Sequence, residues 1–535
     1  MEMPTVLESE YHLKSLALSL GAREVAGWST EETAAIKGIR PSASKLVIEF
    51  KRRIRLSEDP LGEIFCFLRS PKQRRVQGAT YTPRPLVETM VEWAATKERN
   101  PARIVEPGVG SAAFLRAAAK IFPNSELVGI EVDPLAALIA RANLAASGLA
   151  RRSMVLCGDY LTTRLPNTNG KTLFIGNPPY VRHHQIGPDG KKWLTEGAAK
   201  LGLKASQLAG LHIHFFLATV LNSHEQDFGV FVTSAEWLDV NYGKLLRELF
   251  LGGLGGQGIT ILEPTTSAFT DAETTTAITQ FVIGSNPSKI RMKRVARMSR
   301  KGALTTGTRI HRERLLGEAR WSHLTLNSNA FPEGYVELGE LCRVHRGQVT
   351  GSNRVWIEGR NTSILPRSVL YPCVTRAKEL FAAGPTLADD SLLRNVIDIP
   401  ADLAVFDKDE RDEIERFIQL AKSAGADGTY VARNRKAWWS VGLREPAPIL
   451  ATYMARRPPA FVRNLVGARH INIAHGLYPR DSMSPELLDR LASYLASSVS
   501  LLSGRTYAGG LTKFEPKEME RLRVPSPELL QQMPA

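Results

Sequence analysis

One heptapeptide, Phe-Ile-Gly-Asn-Pro-Pro-Tyr at residues 174–180, carries side chains whose types and order fit a specific chemistry. Its apolar start predicts the end of a short buried strand, and Pro178 and Pro179 predict a stiff, extended exit loop without backbone donors. The Asn177 amide oxygen and the Pro178 carbonyl are two hydrogen-bond acceptors, and Tyr180 offers a flat apolar ring. Two acceptors beside an aromatic face suit a planar group that carries an NH2. For this segment alone, a proline-rich turn with a packed tyrosine is the alternative.

Three further strands are predicted upstream, and each ends in residues that suit a nucleotide-like ligand. The first leads into a small-residue loop with Gly108 and Gly110, where the backbone can approach a ligand closely before a helix begins. The second ends at Glu131, in the position where an acid binds ribose hydroxyls in nucleotide-binding folds. The third ends at Asp159, which can accept from an exocyclic amine, and Tyr160, which can pack on a purine. Because ligands bind at this edge of an open α/β sheet, the four strand ends predict one site.

A helix start is predicted ahead of the first of these strands. Thr82 followed by Pro83 is typical of an N-cap and first helical position. The threonine hydroxyl and the helix N-terminus are also able to hold a carboxylate. Taken alone, this segment predicts only a capped helix.

The composition indicates a large, basic, multidomain protein. A chain of 535 residues exceeds one ordinary domain, and a net charge of +15 favours a polyanionic partner such as nucleic acid. A generally basic, soluble surface is the alternative. Four scattered cysteines predict neither a disulfide framework nor a metal site. Without a signal-peptide pattern or an apolar run near ~20 residues, we expect a cytoplasmic protein with no membrane contact.

Basic residues concentrate in the second half of the chain. Residues 289–320 hold eleven lysines and arginines against two glutamates, which is too unbalanced for a face of paired charges. We expect phosphate contacts there, with a solvated basic linker as the alternative. Basic and aromatic residues also cluster around 430–439 and 453–469, where arginines can reach guanine edges or phosphates. The candidate nucleic-acid-binding residues are Arg291, Lys293, Arg294, Arg346, Arg433, Arg435, Lys436, Arg456 and Arg457.

The order of these segments resembles that of the gamma-group (Taq-type) DNA adenine-N6 methyltransferases of type II restriction–modification systems. A Tyr-Thr-Pro segment at residues 81–83, the glycine loop, two acids and the Asn-Pro-Pro-Tyr sequence follow one another as in that group. The resemblance covers about residues 75–285 firmly and continues more weakly to about residue 525. The chain departs from the group at Ala112, where many relatives have glycine, and in a longer segment after the tyrosine.

The resemblance implies an α/β fold with a Rossmann-like class I methyltransferase domain, a C-terminal mixed α/β target-recognition domain and a short helical N-terminal extension. The implied boundaries are 1–74 for the extension, 75–286 for the catalytic domain and 287–535 for target recognition. The residues implied to bind S-adenosylmethionine are Thr82, Glu106, Gly108, Gly110, Glu131, Asp159 and Tyr160. The residues implied to bind the target base are Asn177, Pro178, Pro179 and Tyr180, with Phe269 as the opposing ring.

The activity implied by the resemblance is methyl transfer from S-adenosylmethionine to N6 of an adenine flipped out of duplex DNA. Hydrogen bonds from the amine to Asn177 and Pro178 would free its lone pair without a metal or a covalent intermediate. The resemblance also implies a monomer that acts on double-stranded DNA at the bacterial nucleoid and protects it from a separate restriction endonuclease. Two alternatives stay open: an RNA or protein-glutamine methyltransferase with the same motif, and a non-catalytic DNA-binding specificity subunit.

Overall fold

The computed structural model describes residues 9–42, 44–69, 73, 82–262, 275–295, 304–325, 334–359, 365–455, 457–500, 505–507 and 511–533. Contacts divide them into two compact units, one up to residue 325 and a second from residue 334 onward. Among these residues, no helix has the length and apolar character needed to cross a membrane.

A nine-stranded sheet forms the centre of the first unit. Its strands are β1 (Arg103–Pro107), β2 (Glu126–Glu131), β3 (Ser153–Cys157), β4 (Thr172–Gly176), β5 (Phe228–Ser234), β6 (Gly256–Leu262), β7 (Thr276–Val282), β8 (Lys289–Val295) and β9 (Thr308–His311). They lie in the order β3-β2-β1-β4-β5-β7-β6-β8-β9. Only β7 and β9 run antiparallel to the others within this sheet. The carboxyl ends of β1 to β4 therefore meet at one edge.

Helices cover both faces of this sheet. Ile104 and Leu173 belong to one apolar cluster and Val105 and Phe174 to another, because successive strand residues point to opposite faces. The helices of this unit are α1 (Glu10–Ser19), α2 (Thr30–Ala35), α3 (Ser44–Arg55), α4 (Pro60–Leu68), α5 (Arg84–Ala95), α6 (Ala113–Ile121), α7 (Pro134–Ala146), α8 (Pro188–Lys200), α9 (Leu211–Asn222), α10 (Lys244–Leu251) and α11 (Arg312–Gly317). Helices α5 to α7 pack on the first face and α8 to α10 on the second.

The N-terminal helices α1 to α4 pack against α7 through a shared apolar cluster. Arg141 of α7 is fully buried and pairs with Glu32 of α2, with 2.7 Å between Nε and Oε1. Its guanidinium also donates to the carbonyl oxygens of Val25, Ala26, Gly27 and Val155. A buried charge so fully hydrogen-bonded fixes the position of the extension, because any other position would leave that charge unpaired.

The first unit extends beyond the predicted catalytic boundary at residue 286. Strands β8 and β9 continue the same sheet, since β8 pairs in parallel with β6 and β9 pairs with β8. The turn at 285–288 thus returns the chain to the sheet instead of leading to a new domain. A turn of this composition looks the same in sequence whether it ends a domain or connects two strands of one sheet.

The second unit has a mixed α/β architecture. Its helices are α12 (Leu338–Leu341), α13 (Asn353–Trp356), α14 (Ala377–Ala383), α15 (Lys408–Ser423), α16 (Tyr430–Arg433), α17 (Pro485–Ser498), α18 (Pro516–Glu520) and α19 (Pro527–Gln532). Its strands are β10 (Tyr335–Glu337), β11 (Cys342–Arg346), β12 (Leu370–Val374), β13 (Thr386–Leu387), β14 (Arg394–Ile397), β15 (Ile449–Thr452), β16 (Met454–Ala455), β17 (Phe461–Asn464), β18 (Arg469–His470), β19 (Ala474–Pro479), β20 (Arg505–Tyr507), β21 (Leu511–Lys513) and β22 (Arg523–Pro525). The largest sheet has the order β11-β19-β15-β17-β13.

Candidate active site

The glycine loop after β1 is held against the end of β2. The backbone N–H groups of Gly108 and Val109 donate to the Ile130 carbonyl at 2.8 and 2.9 Å. Gly108 and Gly110 have φ angles of +70° and +50°, a conformation that glycine adopts without steric cost. Ala112, which departs from the group's glycine pattern, also has a positive φ of 63°. An alanine there costs about 1 kcal/mol relative to glycine, and the buried surroundings hold it in place.

Glu131 links the ends of β1 and β2. Its carboxylate accepts hydrogen bonds from the backbone N–H groups of Gly110 at 2.9 Å and Asp133 at 3.1 Å. Burial raises the pKa of Glu131, and these two hydrogen bonds partly offset that rise. A carboxylate has about four lone-pair positions, so acceptor capacity remains for ligand hydroxyls. The next residue, Val132, is 57% exposed and is not among the residues predicted to bind a ligand. An apolar residue directly after a strand-end acid is the pattern that would have indicated it as a candidate ligand contact.

Glu106 lies below the glycine loop, only 3% exposed. Its carboxylate accepts the backbone N–H of Leu115 at 2.9 Å, and it thereby occupies the N-terminus of α6. Burial raises the pKa of Glu106 well above its ordinary value, although hydrogen bonds from Leu115 and Phe114 oppose the shift. The residue therefore supports the loop from inside the fold.

The substitution Glu106→Gln tests, through the pH dependence of thermal stability, whether burial raises the pKa of Glu106. It removes the ionisable group and keeps an oxygen that accepts from Leu115. Because the folded-state pKa is raised, native stability falls as pH rises from the ordinary value of 4.5 through the folded pKa. We expect the melting temperature of the variant, relative to the native protein, to increase over that interval and then level off. A melting-temperature difference between the variant and the native protein that stays constant from about pH 5 to 9 would contradict the raised pKa of Glu106.

Asp159 and Tyr160 follow β3 but lie in different environments. Asp159 is exposed, and its Oδ1 accepts the backbone N–H of Leu161 at 3.0 Å. Tyr160 is only 2% exposed, and its hydroxyl lies 3.0 Å from that of Thr219. Its ring packs on Phe215 with 5.1 Å between centroids. The structure thus places Tyr160 in the core, where it supports the strand end instead of offering an open face to a purine.

Asn177 contacts a residue from the far side of the glycine loop. Its Nδ2 donates to Oγ1 of Thr82 at 3.1 Å, which sets the orientation of the amide. Thr82 is not the predicted N-cap, because α5 begins at Arg84 and Pro83 holds the cap position without a side-chain bond. The threonine hydroxyl therefore accepts a hydrogen bond from the Asn-Pro-Pro-Tyr loop. This contact brings together two segments that lie 95 positions apart.

The Asn-Pro-Pro-Tyr loop lies directly against the glycine loop. Strands β1 and β4 pair in parallel, so their carboxyl ends emerge side by side. A Cβ atom placed on Gly108 would lie 3.8 Å from Cδ of Pro179, and one on Gly176 would lie 3.5 Å from the Pro107 carbonyl. Pro178 is buried. The two loops thus form one continuous wall at the carboxyl edge of the sheet.

Tyr180 and the chain after it are fixed by the start of α9. Tyr180 is half-buried, and burial raises the pKa of its hydroxyl. The backbone N–H of Leu211 donates to the Val181 carbonyl at 2.9 Å. His212, in the first turn of α9, is 5% exposed, and burial lowers its pKa to about 3, so it is neutral at physiological pH. The predicted opposing ring, Phe269, lies outside the described residues.

The N-terminal extension reaches the glycine loop through Asp59, which sequence reasoning missed. Its carboxylate accepts the hydroxyl of Ser111 at 2.5 Å and the amide of Asn143 at 3.1 Å. The same carboxylate caps α4 by accepting the N–H of Gly62 at 3.1 Å. Asn143 also donates to the Ser111 carbonyl at 2.9 Å. One partly buried carboxylate therefore connects the extension, the loop and α7.

Two predicted nucleic-acid contacts of β8 are engaged within the first unit. Arg294 donates to the hydroxyl of Thr325 at 3.0 Å and to the Ser322 carbonyl at 3.2 Å. Lys293 donates to the hydroxyl of Thr306 at 2.9 Å. For Arg294, the structure shows a fold-stabilising position instead of an open cation.

Cations of the second unit lie over aromatic rings. The Arg346 guanidinium is 5.4 Å from the ring centroid of Tyr453 and donates to its hydroxyl at 3.3 Å. The Arg457 guanidinium lies 3.3 Å from the centroid of Phe381. Both arginines are exposed, so a second partner has access to them.

The remaining predicted contacts differ in exposure. Arg433 and Lys436 are exposed at the end of α16. Arg435 donates to the Val349 carbonyl at 2.6 Å, and burial lowers its pKa. Arg456 lies outside the described residues.

Comparison with known proteins defines the class to which this fold and site belong. Residues 56–217 match the family described as N-6 DNA Methylase, and residues 323–535 match the C-terminal domain of the type II methyltransferase M.Eco57I. Type II methyltransferase M.XamI of Xanthomonas campestris pv. amaranthicola is 52% identical over 472 residues, 88% of each chain. Type II methyltransferase M.AccI of Acinetobacter calcoaceticus is 22% identical over 476 residues, 84% of this chain and 86% of that relative.

The fold is likewise that of a solved restriction–modification protein. The type IIG restriction endonuclease BpuSI superposes with a TM-score of 0.52 at 14% identity, covering 99% of this chain and 72% of that chain. This likeness shows a mixed α/β fold. The chain belongs to the N6-adenine DNA methyltransferases of type II restriction–modification systems.

The predicted type II adenine methyltransferase is thus confirmed, whereas its gamma-group assignment stays a prediction. Relatives outside DNA modification match a smaller part of the chain. Release factor glutamine methyltransferase of Bradyrhizobium diazoefficiens is 34% identical over 117 residues, 21% of this chain and 38% of that relative.

Proposed function

We propose that this protein uses S-adenosylmethionine to methylate N6 of an adenine flipped out of duplex DNA, at the edge where the glycine loop meets the Asn-Pro-Pro-Tyr loop. The observation that carries the proposal is the close approach of these loops, since a Cβ atom placed on Gly108 would lie 3.8 Å from Cδ of Pro179. A methyl donor held by one loop lies next to an amine held by the other. Proximity of this kind supplies a large share of the rate of such transfers.

The methyl donor fits the acceptors and open backbone of the glycine loop. Glu131 would accept from the ribose hydroxyls, Val132 would contact the adenine ring, and Asp159 would accept from its amine. Gly108 and Gly110 leave space for the methionine part, because neither carries a side chain. When bound, S-adenosylmethionine supplies its methyl group as an electrophile on sulfur.

Asn177 and Pro178 would act on the target amine. The N6 lone pair of adenine is delocalised into the ring, which makes the amine a poor nucleophile. Hydrogen bonds from its two hydrogens to the Asn177 oxygen and the Pro178 carbonyl would favour a pyramidal nitrogen with an available lone pair. Stacking on Tyr180, and on Phe269 from the other side, would offset part of the few kcal/mol needed to flip the base. After transfer, the proton leaves to solvent, since Asn177 is not a base.

Sequence recognition is assigned to the second unit, with residues 1–74 as an extension that supports the catalytic unit. Arg346 and Arg457 are exposed cations lying over rings, and Arg433 and Lys436 are exposed, so all four suit contacts with phosphates or base edges. We infer a gamma-group enzyme that acts as a monomer and is paired with a separate restriction endonuclease.

Methylation-aware sequencing of DNA from cells that express the protein tests this proposal. We expect N6-methyladenine at one recurring sequence, and its absence from cells that express Asn177→Ala. Transfer of a labelled methyl group to duplex DNA, but not to tRNA or release factor, is the matching result in vitro. Unmodified adenines in DNA despite abundant folded protein would overturn the proposal.

A positioning role for Asp59 gives a separate prediction. Asp59→Ala removes the α4 cap and the partner of Ser111, so we expect about 1–2 kcal/mol of destabilisation and roughly tenfold weaker binding of S-adenosylmethionine. Ser29→Ala is the matched control, because Ser29 caps α2 at its Glu32 N–H and is not bonded to the glycine loop. Calorimetric titration and thermal unfolding distinguish the two. Equal affinity loss in both variants would show that general destabilisation is the cause.

A further inference from the structure

A basic basin lies on the first unit, away from the strand ends of the active site. Its volume is about 330 Å³, and its described lining includes no aspartate or glutamate. The lining residues are Lys97, Gln257, Pro287, Ser288, Lys289, Arg291 and Arg309. Four cations therefore converge on a concave surface without an acid to neutralise them, which is the composition of an anion-binding site.

Strand alternation places three of these cations on one face of the sheet. Ile290, Met292 and Ile310 point into the apolar cluster beneath α8 to α10. Lys289, Arg291 and Arg309 therefore point to the opposite face, the one on which α5 packs. Lys97 follows the end of α5, so it approaches the basin from the same side.

Two of the arginines are direct cross-strand neighbours. Arg291 of β8 is paired with Arg309 of β9. Like charges at directly opposed positions destabilise a sheet, so this pairing has a cost unless an anion lies between them. Partial burial and the nearby Arg291 also lower the pKa of Lys97.

The basin cations are also unpaired within the part of the chain that the structure describes. No ion pair or hydrogen bond there uses the side chain of Lys289, Arg291 or Arg309, and Lys97 lies only against the Trp93 ring, 5.7 Å from its centroid. Arg294 on the same strand is bonded to protein partners. The difference separates cations that hold the fold together from cations that are available to a ligand.

The strand register gives the distance of the basin from the catalytic loop. Directly paired residues lead from Gly176 of β4 across β5, β7 and β6 to Met292 of β8. Gly176 and Met292 therefore lie at the same level along the strand direction. Four steps of about 4.8 Å place β8 roughly 19 Å from β4 across the sheet, and Arg291 is level with Ile175, just before the catalytic loop. A duplex that lies along this direction, with a rise of about 3.4 Å per base pair, covers the span in about six base pairs.

We propose that the basin binds backbone phosphates of duplex DNA flanking the methylated site, about six base pairs from the target adenine. The proposal rests on the proposed function and adds a contact outside the recognised sequence. Exposed Lys289 and Arg309, with half-buried Arg291 between them, suit an extended phosphate backbone more than an enclosed small anion. The contact is electrostatic and independent of base sequence.

Binding to short and long duplexes tests the proposal. The double variant Lys97→Gln/Arg309→Gln removes two basin charges, and Lys37→Gln/Lys51→Gln removes two exposed charges from the N-terminal extension as a control. With a 30-base-pair duplex centred on the modified sequence, we expect about tenfold weaker binding by the basin variant and a salt slope lower by about two. With a 10-base-pair duplex, which ends before the basin, its affinity should match that of the native protein within about twofold. Fluorescence anisotropy at several salt concentrations measures both.

Each other outcome overturns the proposal. Equal loss on both duplexes would place these cations close to the target base, and no loss on either would show that the basin does not meet DNA. A third result would identify a small-phosphate site instead: inorganic pyrophosphate stabilises the native protein but not the basin variant, and duplex length has no effect on the affinity of the basin variant relative to the native protein. Failure of the proposed function is distinguishable, because it appears as absent adenine methylation by the native protein whatever the duplex length.

Discussion

Replacing Asn177 by alanine is expected to reduce methyl transfer to duplex DNA on the order of 10³-fold while binding of S-adenosylmethionine is retained. Removal of one polar group that acts on the reacting centre typically costs 10²–10³ in rate. The Asn177 amide donates to Thr82 at 3.1 Å, whereas Glu131 accepts from Gly110 and Asp133, so the change leaves the Glu131 end of the site intact. Initial rates at saturating cofactor and DNA, with calorimetry for cofactor affinity, measure the two effects separately.

Substitutions at Thr82 provide a graded control for Asn177. Thr82→Ser keeps the hydroxyl that accepts from the Asn177 amide, and Thr82→Val removes it at nearly constant volume. We expect near-native rates for the serine variant and roughly tenfold slower transfer for the valine variant, because one hydrogen bond that orients the amide is worth about 1 kcal/mol or slightly more. If Asn177→Ala keeps more than about a tenth of the native rate, the amide does not act on the amine.

The order of strand ends could be predicted from sequence because each is a local pattern. An apolar run followed by a glycine loop, an acid or two prolines indicates its own strand and exit, and parallel strands bring those exits to one edge. The predicted positions of Gly108, Glu131 and Asn177 along that edge therefore depend only on the local sequence around each residue. These residues do lie at the ends of β1, β2 and β4.

Contacts between distant segments could not be predicted in the same way. The bond from Ser111 to Asp59 joins residues 52 positions apart, and neither residue type indicates the other. Thr82 looked like an N-cap because its type and the following proline fit one, whereas tertiary pairing with Asn177 decided its role. Tyr160 has the right position for a ligand contact, but its core packing depends on Thr219 of a later helix.

The same limit applies to the basic residues of β8. Net charge predicted that residues near 290 meet phosphate, but charge alone does not distinguish Arg291 from Arg294. Strand alternation separates them, since the two point to opposite faces, and only the folded sheet shows that Arg309 lies opposite Arg291. A count of charges therefore predicts that a surface is basic, and pairing geometry predicts which of its cations are available.

Replacing Glu131 by alanine is expected to give the opposite pattern to Asn177→Ala, with S-adenosylmethionine bound about 10²-fold more weakly. The carboxylate accepts from Gly110 of the glycine loop at 2.9 Å and from Asp133, which follows β2, at 3.1 Å. Hydrogen bonds to a charged group contribute about 1.5–3 kcal/mol each. Loss of the loop anchor and of the ribose acceptor together accounts for the expected change. Glu131→Gln, which keeps one acceptor oxygen, should weaken binding by roughly tenfold.

Rate measurements at rising cofactor concentration separate the two roles. Excess S-adenosylmethionine should restore most of the rate of Glu131→Ala, because its defect lies in binding, and should leave Asn177→Ala inactive. Burial raises the pKa of Glu131, so native cofactor affinity should fall on acidification at pH values above the ordinary 4.5, as the carboxyl gains a proton and loses acceptor capacity. Glu131→Gln has no such proton to gain, and its affinity should stay level over that range. A parallel fall in both proteins would assign the pH dependence to another group and remove Glu131 from the cofactor site.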